Sequence, residues 1–464
     1  MPLEGRRRQL GEQSGETSTA HRSGESVETK LLRIAEKARK EPGFQFTSLY
    51  HLMKEELLRG CFAALKGGKA AGIDQVTKEE YAGELDSNLK QLVERLHRMA
   101  YIPQPVRRKY IPKPGSNKQR PLGIPCLEDK LVQAGLARIL GAIYEQDFIG
   151  DSYGSRPKRS CHDALRALSL EVEDGPINHI VEADIKGFFD HVNQDWLMKF
   201  LEHRIKDTRV LRMVRRFLKA GISEDGVIRA SEEGTPQGGV ISPTLANVYL
   251  HYVLDLWFEK VYRKECTGRA RLIRFVDDFV VCFQYGDEAE RFRTKLVARL
   301  GQFGLEVEPT KTKVLAFGRW AETNAKARGV KPETFDFLGL THYCSRSQNG
   351  KRFRMKRVTA RKKFRAKVAA FKEWIKRART QPLSEIWATS RRKLQGHYNY
   401  YGVTDNIAGI NRYLEAVKRL LVKWLRRRSQ RSRLTWEKFN RMLDRFPLPK
   451  PRITHDLIRH AACF

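Results

Sequence analysis

The sequence has no long apolar run, no paired cysteines and no excess of acidic residues, and each absence excludes a class of protein. No apolar stretch approaches the roughly 20 residues that a membrane-spanning helix needs, which excludes an integral membrane protein. The 7 cysteines are scattered through 464 residues, and none stands at Cys-x-x-Cys spacing. That distribution argues against a zinc finger and a disulfide framework, and it favours a reducing cytosol. The N-terminus also lacks the apolar core of a signal peptide.

What the chain has instead is positive charge, most of it in the C-terminal quarter. It carries 88 Lys and Arg against 54 Asp and Glu, a formal charge of +34. Residues 351–464 hold 32 of these basic residues and 7 of the acidic ones, a charge of +25. Such density repels itself unless phosphates neutralise it, which favours a nucleic-acid partner over a solvated basic face or an anionic membrane surface. No insertable segment follows the basic stretch, which weakens the membrane alternative.

Two segments place carboxylates at the ends of strand-like apolar runs. Asp277 and Asp278 separate two apolar runs that read as a β-hairpin, and Asp184 ends another apolar strand. Taken alone, the pair fits a polar hairpin turn, and Asp184 fits a helix cap. Together, three carboxylates from two strands could hold two Mg²⁺ ions, with nucleotide phosphates completing the ligand set. Two such ions can activate a 3′-hydroxyl and stabilise a leaving pyrophosphate.

A glycine-rich segment, residues 234–243, runs into a predicted helix at Ser242-Pro243. Its glycines allow close backbone approach, and the helix start offers free N–H groups to an anion. The plain alternative is a strand–turn–helix connection. By itself this segment does not decide between the two.

Capping signals and hydrophobic periodicity predict mixed helices and strands up to about residue 356 and helices alone after it. Thr77 and Glu80 form a capping box that predicts a helix reaching toward Met99. Other helices are predicted near 31–38, 127–144, 162–172, 195–219, 242–262, 289–303, 358–379, 383–399, 406–428 and 435–443. Strands are predicted at 110–111, 122–124, 179–184, 272–276, 279–283, 306–317 and 335–342, with a further hairpin turn at Asn349-Gly350.

The two carboxylate segments and the glycine-rich segment, in this order and at this spacing, resemble a reverse transcriptase of the kind encoded by group II introns. The resemblance covers about residues 46 to 455. Further matching segments are 71–74, 110–125, 152–157, 304–305, 311–312, 337–339 and 395–402. The resemblance implies an α/β (α+β) right-hand polymerase fold with an antiparallel palm sheet. The implied regions are a disordered or weakly helical extension (1–45), fingers (46–175 with part of 195–240), palm (176–350), helical thumb or domain X (351–428) and a basic DNA-binding tail (429–464).

The resemblance also assigns roles to individual residues. Asp184, Asp277 and Asp278 match the catalytic ligands of two Mg²⁺ ions, with Ile185 counted among the metal-binding positions. Phe189 matches the residue that lies under the incoming sugar and excludes a 2′-hydroxyl. The other implied nucleotide-binding residues are Lys113, Arg120, Gln237 and Lys311. The implied RNA- and DNA-binding residues are Arg361, Lys362, Lys363, Arg365, Lys367, Arg426, Arg427 and Arg428.

Some residues depart from the family pattern. Phe275-Val276 stands where Tyr-Ala is common, Ser155 stands where Phe is usual, and Gln75 stands where Gly is frequent. None of these changes removes a reacting group. Too few Cys and His residues follow Gly402 to build the metal-binding nuclease that ends many relatives, so a nuclease-free member is expected.

The implied function is RNA-directed DNA synthesis together with intron maturase activity. Such a protein binds group II intron RNA, assists its splicing and copies it into cDNA, taking a primer from replication forks. Its implied partners are template RNA with a DNA primer, target DNA and dNTPs in the bacterial cytosol or nucleoid, without a membrane. The sequence does not indicate an oligomeric state. Two alternatives stay open, a reverse transcriptase of defence or repair and a splicing cofactor without polymerase activity.

Overall fold

The fold is described from a computed structural model, which combines three small β-sheets with a large number of helices. The described residues are 25–112, 119–229, 234, 238–347, 349–429 and 434–458. Within them no helix combines the length and apolar character that crossing a bilayer requires. Lys113 and Gln237, which sequence reasoning assigned to nucleotide binding, lie outside the described residues.

Helices and strands alternate through the first three quarters of the chain, and helices dominate the last quarter. The helices of the N-terminal half are α1 (Val27–Lys40), α2 (Glu55–Ala64), α3 (Lys78–Gly83), α4 (Leu85–His97), α5 (Leu127–Asp147), α6 (Cys161–Asp174), α7 (Phe188–His191), α8 (Gln194–Glu202) and α9 (Thr208–Leu218). Those that follow are α10 (Ser242–Leu250), α11 (Leu256–Lys260), α12 (Gly286–Gly301), α13 (Ala321–Ala327), α14 (Arg361–Ala378), α15 (Leu383–Tyr401), α16 (Ile407–Leu425) and α17 (Trp436–Arg445). The strands are β1 (Val106–Pro112), β2 (Gln119–Ile124), β3 (His179–Asp184), β4 (Ile222–Glu224), β5 (Val227–Arg229), β6 (Ala270–Phe275), β7 (Asp278–Phe283), β8 (Lys313–Ala316), β9 (Thr334–Phe337), β10 (Leu340–Arg346) and β11 (Phe353–Thr359).

The central sheet has the order β6-β7-β3-β8, and every neighbouring pair is antiparallel. Side chains alternate between its two faces, as the pleat of a strand requires. Val181 and Val281 face a core shared with α5, α8, α10 and α12, whereas Ile180 and Val280 face a second core shared with α6 and the C-terminal helices. The sheet is therefore buried on both faces, and its strand ends are the places where polar side chains can reach solvent.

Two smaller sheets flank this centre. One has the order β2-β1-β4-β5 and is antiparallel except for the short parallel contact between β1 and β4. The other has the order β11-β10-β9 and is antiparallel throughout. After β11 the chain enters the helices α14, α15 and α16, which pack around Phe371, Leu394 and Val417.

Buried Asn406 joins this helical region to the sheet before it. Its side-chain amide donates to the carbonyl of Tyr401 at 2.8 Å and to the hydroxyl of Thr359 at 2.9 Å, and its Oδ1 accepts from the N–H of Thr359 at 3.0 Å. A buried polar group with all of its partners in place contributes to a defined geometry. The end of β11 and the end of α15 are thus held together.

Most of the predicted elements are present, and the mixed α/β content, the antiparallel central sheet and the helical C-terminal region are confirmed. The largest errors concern the predicted ranges of two helices and two strands. The capping box at Thr77 exists, but its helix ends at Gly83 and a second one follows. The helix predicted at 195–219 is likewise two helices, because Asp207 caps α9 and also accepts from the N–H groups of Leu49 and Tyr50.

The other two errors concern the strands at 306–317 and 335–342. In the first range only β8, Lys313–Ala316, is a strand. The second is a hairpin of β9 and β10, since Leu338 and Gly339 both adopt positive φ, 50° and 77°, and form a two-residue turn. Leucine rarely occupies such a position, so a turn was not expected there. The predicted turn at Asn349-Gly350 does connect β10 with β11.

Candidate active site

The three carboxylates of the sequence motifs meet at one end of the central sheet. Asp184 is the last residue of β3 and pairs in register with Asp278, the first residue of β7. Asp277 occupies the two-residue turn between β6 and β7, directly beside them. The turn reverses the strand direction, which lets adjacent residues serve one site although they would alternate in a straight strand. The structure thereby brings together the three predicted catalytic residues.

Asp277 and Asp278 resist ionisation in the absence of a cation. Burial, followed by the negative charge of Asp277, raises the pKa of Asp278 to about 7, although part of this side chain stays solvent-accessible. Burial also raises the pKa of Asp277, and the positive charge of Arg120 opposes that rise. A group of like charges at a partly buried sheet end is costly unless a cation compensates it.

One cation of the chain already lies at the site. The ammonium group of Lys311 pairs with the carboxylate of Asp184, and both side chains remain partly exposed. The residues before Lys311 continue the pairing of β3, since the N–H of Glu308 donates to the carbonyl of Asp184 at 2.8 Å. Lys311 was predicted to lie near nucleotide phosphates, and the structure places it against a carboxylate of the predicted metal site.

The donor set fits Mg²⁺, which prefers carboxylate and phosphate oxygens. Within the described residues, no three His, Cys, Asp or Glu side chains are already arranged as a metal cage. A metal held here therefore needs further ligands such as phosphate oxygens or water, and Lys311 would have to share or leave Asp184. The side chain of Ile185 is apolar and buried, so only its backbone carbonyl can contribute an oxygen.

The Val276-Asp277 turn is strained, and a buried arginine holds it. Val276, a β-branched residue, has a φ of 59°, in the left-handed region that such side chains avoid. The guanidinium of Arg274 donates to the carbonyl of Val276 at 2.9 Å. Strain of this kind persists only where surrounding contacts over-determine it.

Arg274 is fully buried, and five hydrogen bonds fix its side chain. Besides the bond to Val276 it forms a bidentate pair with Asp255, at 2.7 and 2.6 Å, and donates to Asn247 Oδ1 and to Ser152 Oγ. The five N–H groups of a guanidinium are thus all used. Asp255 ends a π-helical segment, His251–Asp255, that links α10 to α11, and one-turn π segments are frequent at functional sites.

A close backbone approach supports the same turn from the other side. The side-chain amide of Asn247 donates to the carbonyl of Gly154 at 2.8 Å. A Cβ atom built on Gly154 would lie 2.4 Å from the backbone nitrogen of Val276, so only glycine fits there. The 152–154 segment and the turn therefore form one packed unit.

Two glycines of the glycine-rich segment lie against the elements that carry Phe189 and Arg120, Gly234 against α7 and Gly238 against β2. A Cβ on Gly238 would lie 2.2 Å from the carbonyl oxygen of Gly123, and one on Gly234 would lie 2.7 Å from that of Phe189. Phe189 is half-buried and contacts Phe188 edge-on at 5.2 Å between ring centroids. Arg120 lies on β2, close enough for its charge to act on Asp277.

The predicted nucleic-acid-binding residues form an exposed basic surface on the C-terminal helices. Five of them lie in the first two turns of α14, and three follow the end of α16, where the guanidinium of Arg427 lies over the ring of Trp424 at 5.4 Å. Among the described residues, no carboxylate forms an ion pair with any of the eight. They are Arg361, Lys362, Lys363, Arg365, Lys367, Arg426, Arg427 and Arg428, and all are exposed.

Comparison with known proteins decides the family. Residues 111–342, half of the chain, match the model of the reverse transcriptase (RNA-dependent DNA polymerase) family. The chain belongs to the reverse transcriptase family. Residues 361–442 match the group II intron maturase-specific domain, which begins with α14 and ends within α17. The expected right-hand polymerase fold and the resemblance to group II intron proteins are thereby confirmed.

Several relatives of this reverse transcriptase are named for introns. Group II intron-encoded protein LtrA of Lactococcus lactis is 39% identical over 231 residues, which cover 49% of this chain and 38% of LtrA. Protein YkfC of Escherichia coli K12 is 38% identical over 213 residues, 45% of this chain and 55% of YkfC. An uncharacterized 91 kDa protein in the cob intron of Schizosaccharomyces pombe is 42% identical over 157 residues, 34% of this chain and 19% of that protein. The chain thus spans between about a fifth and about half of the length of these curated relatives.

Sequence reasoning missed the buried residues that hold the Val276-Asp277 turn in place. Arg274, Asp255, Asn247 and Ser152 come from distant parts of the chain, and no spacing rule joins them. One signal was present, an arginine inside the apolar run of β6. A lone charge in a strand that is otherwise buried indicates a buried ion pair, because an unpaired one would be too costly.

A tyrosine of the maturase-specific domain reaches the turn beside Asp278. The hydroxyl of Tyr400 donates to the carbonyl of Leu338 at 2.9 Å, and the backbone N–H of Leu338 hydrogen-bonds Asp278. The carbonyl of Tyr400 also contacts His162 Nε2 at 2.9 Å. A single residue, Leu338, therefore separates helix α15 from the carboxylate of Asp278.

We expect Tyr400→Phe to lower the rate of nucleotide addition about threefold to tenfold while leaving the melting temperature within about 1 °C. The change removes one hydrogen bond, of about 1 kcal/mol, that orients the partner of Asp278. Single-nucleotide incorporation kinetics measure the rate. Tyr398→Phe is the matched control, because the Tyr398 hydroxyl has no hydrogen-bond partner among the described residues. Equal rates in both variants would contradict a role for Tyr400 in positioning the site.

Proposed function

We propose that this reverse transcriptase extends a DNA 3′ end along an RNA template, with its metal ions held by Asp184, Asp277 and Asp278. The register of Asp184 against Asp278, with Asp277 in the adjoining turn, is the observation that carries the proposal. Burial disfavours the ionised forms of Asp277 and Asp278, which is the electrostatic setting that a divalent cation stabilises.

Mg²⁺ bound by these carboxylates would lower the pKa of the primer 3′-hydroxyl and stabilise the charge on the leaving pyrophosphate. The other named residues position the substrate. Arg120 lies on β2 beside the carboxylates, where its guanidinium can pair with triphosphate oxygens. Lys311, already at Asp184, offers a second cation to the phosphates. The ring of Phe189 supports the sugar and leaves no room for a 2′-hydroxyl.

Incorporation of one nucleotide tests this activity most simply. On RNA templates that present each of the four bases, the matching dNTP should be added far faster than the three others and faster than the matching rNTP. Addition regardless of the template base would indicate a terminal transferase instead. Equal use of dNTPs and rNTPs would contradict the role assigned to Phe189.

We further propose that the chain binds group II intron RNA and assists its splicing, with target DNA and a primed template as its other partners. The maturase-specific domain and the basic surface on α14 and after α16 support this reading. Cations on rigid helices bind folded RNA by its phosphates and its shape more than by base edges. Splicing of a precursor RNA at low Mg²⁺ concentration, with and without the protein, measures the activity.

Removal of three cations from α14 should weaken RNA binding and reduce its salt dependence. For the variant Arg361→Gln/Lys362→Gln/Arg365→Gln we expect about tenfold weaker binding at 0.15 M salt. The slope of log K against log salt should become shallower by about 2 to 3, because each of the three lost phosphate contacts contributes roughly 0.7 to 0.9 to it. Filter binding over a salt series checks both. As a control, Arg291→Gln/Arg293→Gln/Lys295→Gln on α12 removes cations that carboxylates already pair, so the slope should not change.

A further inference from the structure

A groove of about 460 Å³ lies between α14 and α15, on the maturase-specific domain. Residues 392–401 of α15 form one wall, α14 forms the other, and Tyr413 of α16 reaches the floor. Its size falls in the range that small-molecule sites occupy. Its lining includes residues of the 395–402 segment, to which the sequence analysis assigned no ligand.

The floor of the groove is made of aromatic rings, and one of them carries unused polar atoms. The imidazole of His397 lies between Tyr413, at 3.8 Å between ring centroids, and Tyr401, at 4.7 Å. His397 is 5% exposed, and neither of its ring nitrogens has a hydrogen-bond partner among the described residues. Buried polar groups are nearly always hydrogen-bonded. Two unpaired ring nitrogens beside a groove therefore indicate that a ligand can supply the missing hydrogen bond.

The rim of the groove is positively charged. Lys367, Arg392 and Lys393 line it, and no described carboxylate is part of the lining. Partial burial and the charges of Lys367 and Arg392 lower the pKa of Lys393, which shows that the cations act on one another. An anion between them would relieve that repulsion. The groove therefore combines ring surfaces with an anion-binding edge.

Gly396 is a second sign that the groove accommodates a ligand. It lies inside the 19-residue helix α15, where glycine is less favourable than alanine. A Cβ built on Gly396 would meet no atom within 4 Å, so packing inside the protein does not require glycine there. A side chain at this position would instead occupy the groove.

We propose that this groove binds one unpaired nucleotide of RNA, its phosphate facing the rim cations and its base lying against the rings of the floor. The site rests on the proposed RNA-binding function and adds a defined contact to it. Stacking on aromatic rings beside cations is how single-stranded nucleic acids are held without regard to sequence. The absence of a 396 side chain leaves the space for the base.

The state of His397 fits a base better than a phosphate alone. Burial, and to a lesser extent the charge of Lys367, lowers the pKa of His397 to about 4, so the ring is neutral at pH 7. A neutral imidazole has one donor and one acceptor. Base edges present both kinds of group, whereas a phosphate at neutral pH offers acceptors. An unpaired base can therefore bond whichever ring nitrogen faces the groove, as a donor or as an acceptor.

The test uses the full chain and two fluorescent RNAs, a 10-nucleotide single strand and a blunt 16-base-pair duplex, with binding measured by anisotropy. Gly396→Leu should weaken single-strand binding about tenfold and leave duplex binding within twofold, while raising the melting temperature through its better helix propensity. His397→Phe keeps the ring stack and removes the unpaired nitrogens. It should weaken single-strand binding about threefold without lowering the melting temperature.

A matched glycine provides the control. Gly141 lies inside α5, and a Cβ there also meets nothing within 4 Å, so Gly141→Ala should raise the melting temperature without changing single-strand binding. Unchanged single-strand binding in a stable Gly396→Leu variant, or an equal loss for both RNAs, would overturn the nucleotide site alone. Failure of the wild type to bind either RNA would overturn the proposed RNA function together with the site.

Discussion

Replacement of Asp277 by Asn should abolish DNA synthesis and leave the fold intact or slightly more stable. Loss of this one carboxylate should lower the rate of DNA synthesis but should not lower the stability of the metal-free protein. Loss of a metal ligand removes several kcal/mol of transition-state stabilisation, which corresponds to a rate at least about 10³-fold lower. Loss of its negative charge relieves the repulsion that raises the pKa of Asp278, so the metal-free protein should not lose stability.

Primer extension and thermal unfolding, each with and without Mg²⁺, measure the two effects of Asp277→Asn separately. Mg²⁺ should raise the melting temperature of the wild type, and this stabilisation should be reduced in the variant. Asp287→Asn is the control, because Asp287 is an exposed residue on α12 that pairs with Arg291. A variant that keeps more than a tenth of the wild-type rate would contradict the assignment of Asp277 as a metal ligand.

The second large effect should come from Arg274, which never touches substrate. Arg274→Met leaves the fully buried Asp255 without its partner, and breaking a buried ion pair of this kind costs about 3–5 kcal/mol. We expect a marked loss of stability and of activity. That result alone would not separate positioning from folding.

The double variant Arg274→Met/Asp255→Leu separates them. Replacing both members of a buried pair with apolar residues often restores stability. The melting temperature should therefore recover most of the loss, but the carbonyl of Val276 would still lack its donor. A catalytic group displaced by about 1 Å can cost roughly 10²-fold in rate, so nucleotide addition should stay at least about tenfold slow. Wild-type rates in a stable double variant would show that Arg274 only maintains the fold.

The sequence predicted the positions of the three carboxylates well, because their signals are local. Asp277 and Asp278 lie between two apolar runs, and Asp184 ends a third, so strand periodicity alone placed all three at strand ends. Family resemblance then gave them a role. The basic surface of α14 was visible in the same way, as a run of charge on a helix. The carboxylates and the basic surface could each be recognised from a few neighbouring residues of the sequence.

The features that stayed hidden depend on contacts between distant segments. Arg274 meets Ser152 across 122 residues of chain, and Tyr400 meets Leu338 across 62. The turn at Leu338-Gly339 was read as continuous strand, because leucine does not indicate positive φ and only the surrounding packing enforces it. The groove at Gly396 was equally unforeseen, since an isolated glycine in a helix has no single meaning.

The central claim is that the carboxylates at the end of the central sheet form a metal-dependent site for RNA-templated DNA synthesis. Extension of a DNA primer on an RNA template, with dNTPs and with Mg²⁺ either present or chelated, tests it most directly, alongside a binding measurement on the same RNA. We expect full-length complementary DNA only with Mg²⁺. Tight RNA binding without any extension would contradict the claim and favour a splicing cofactor whose polymerase site is idle.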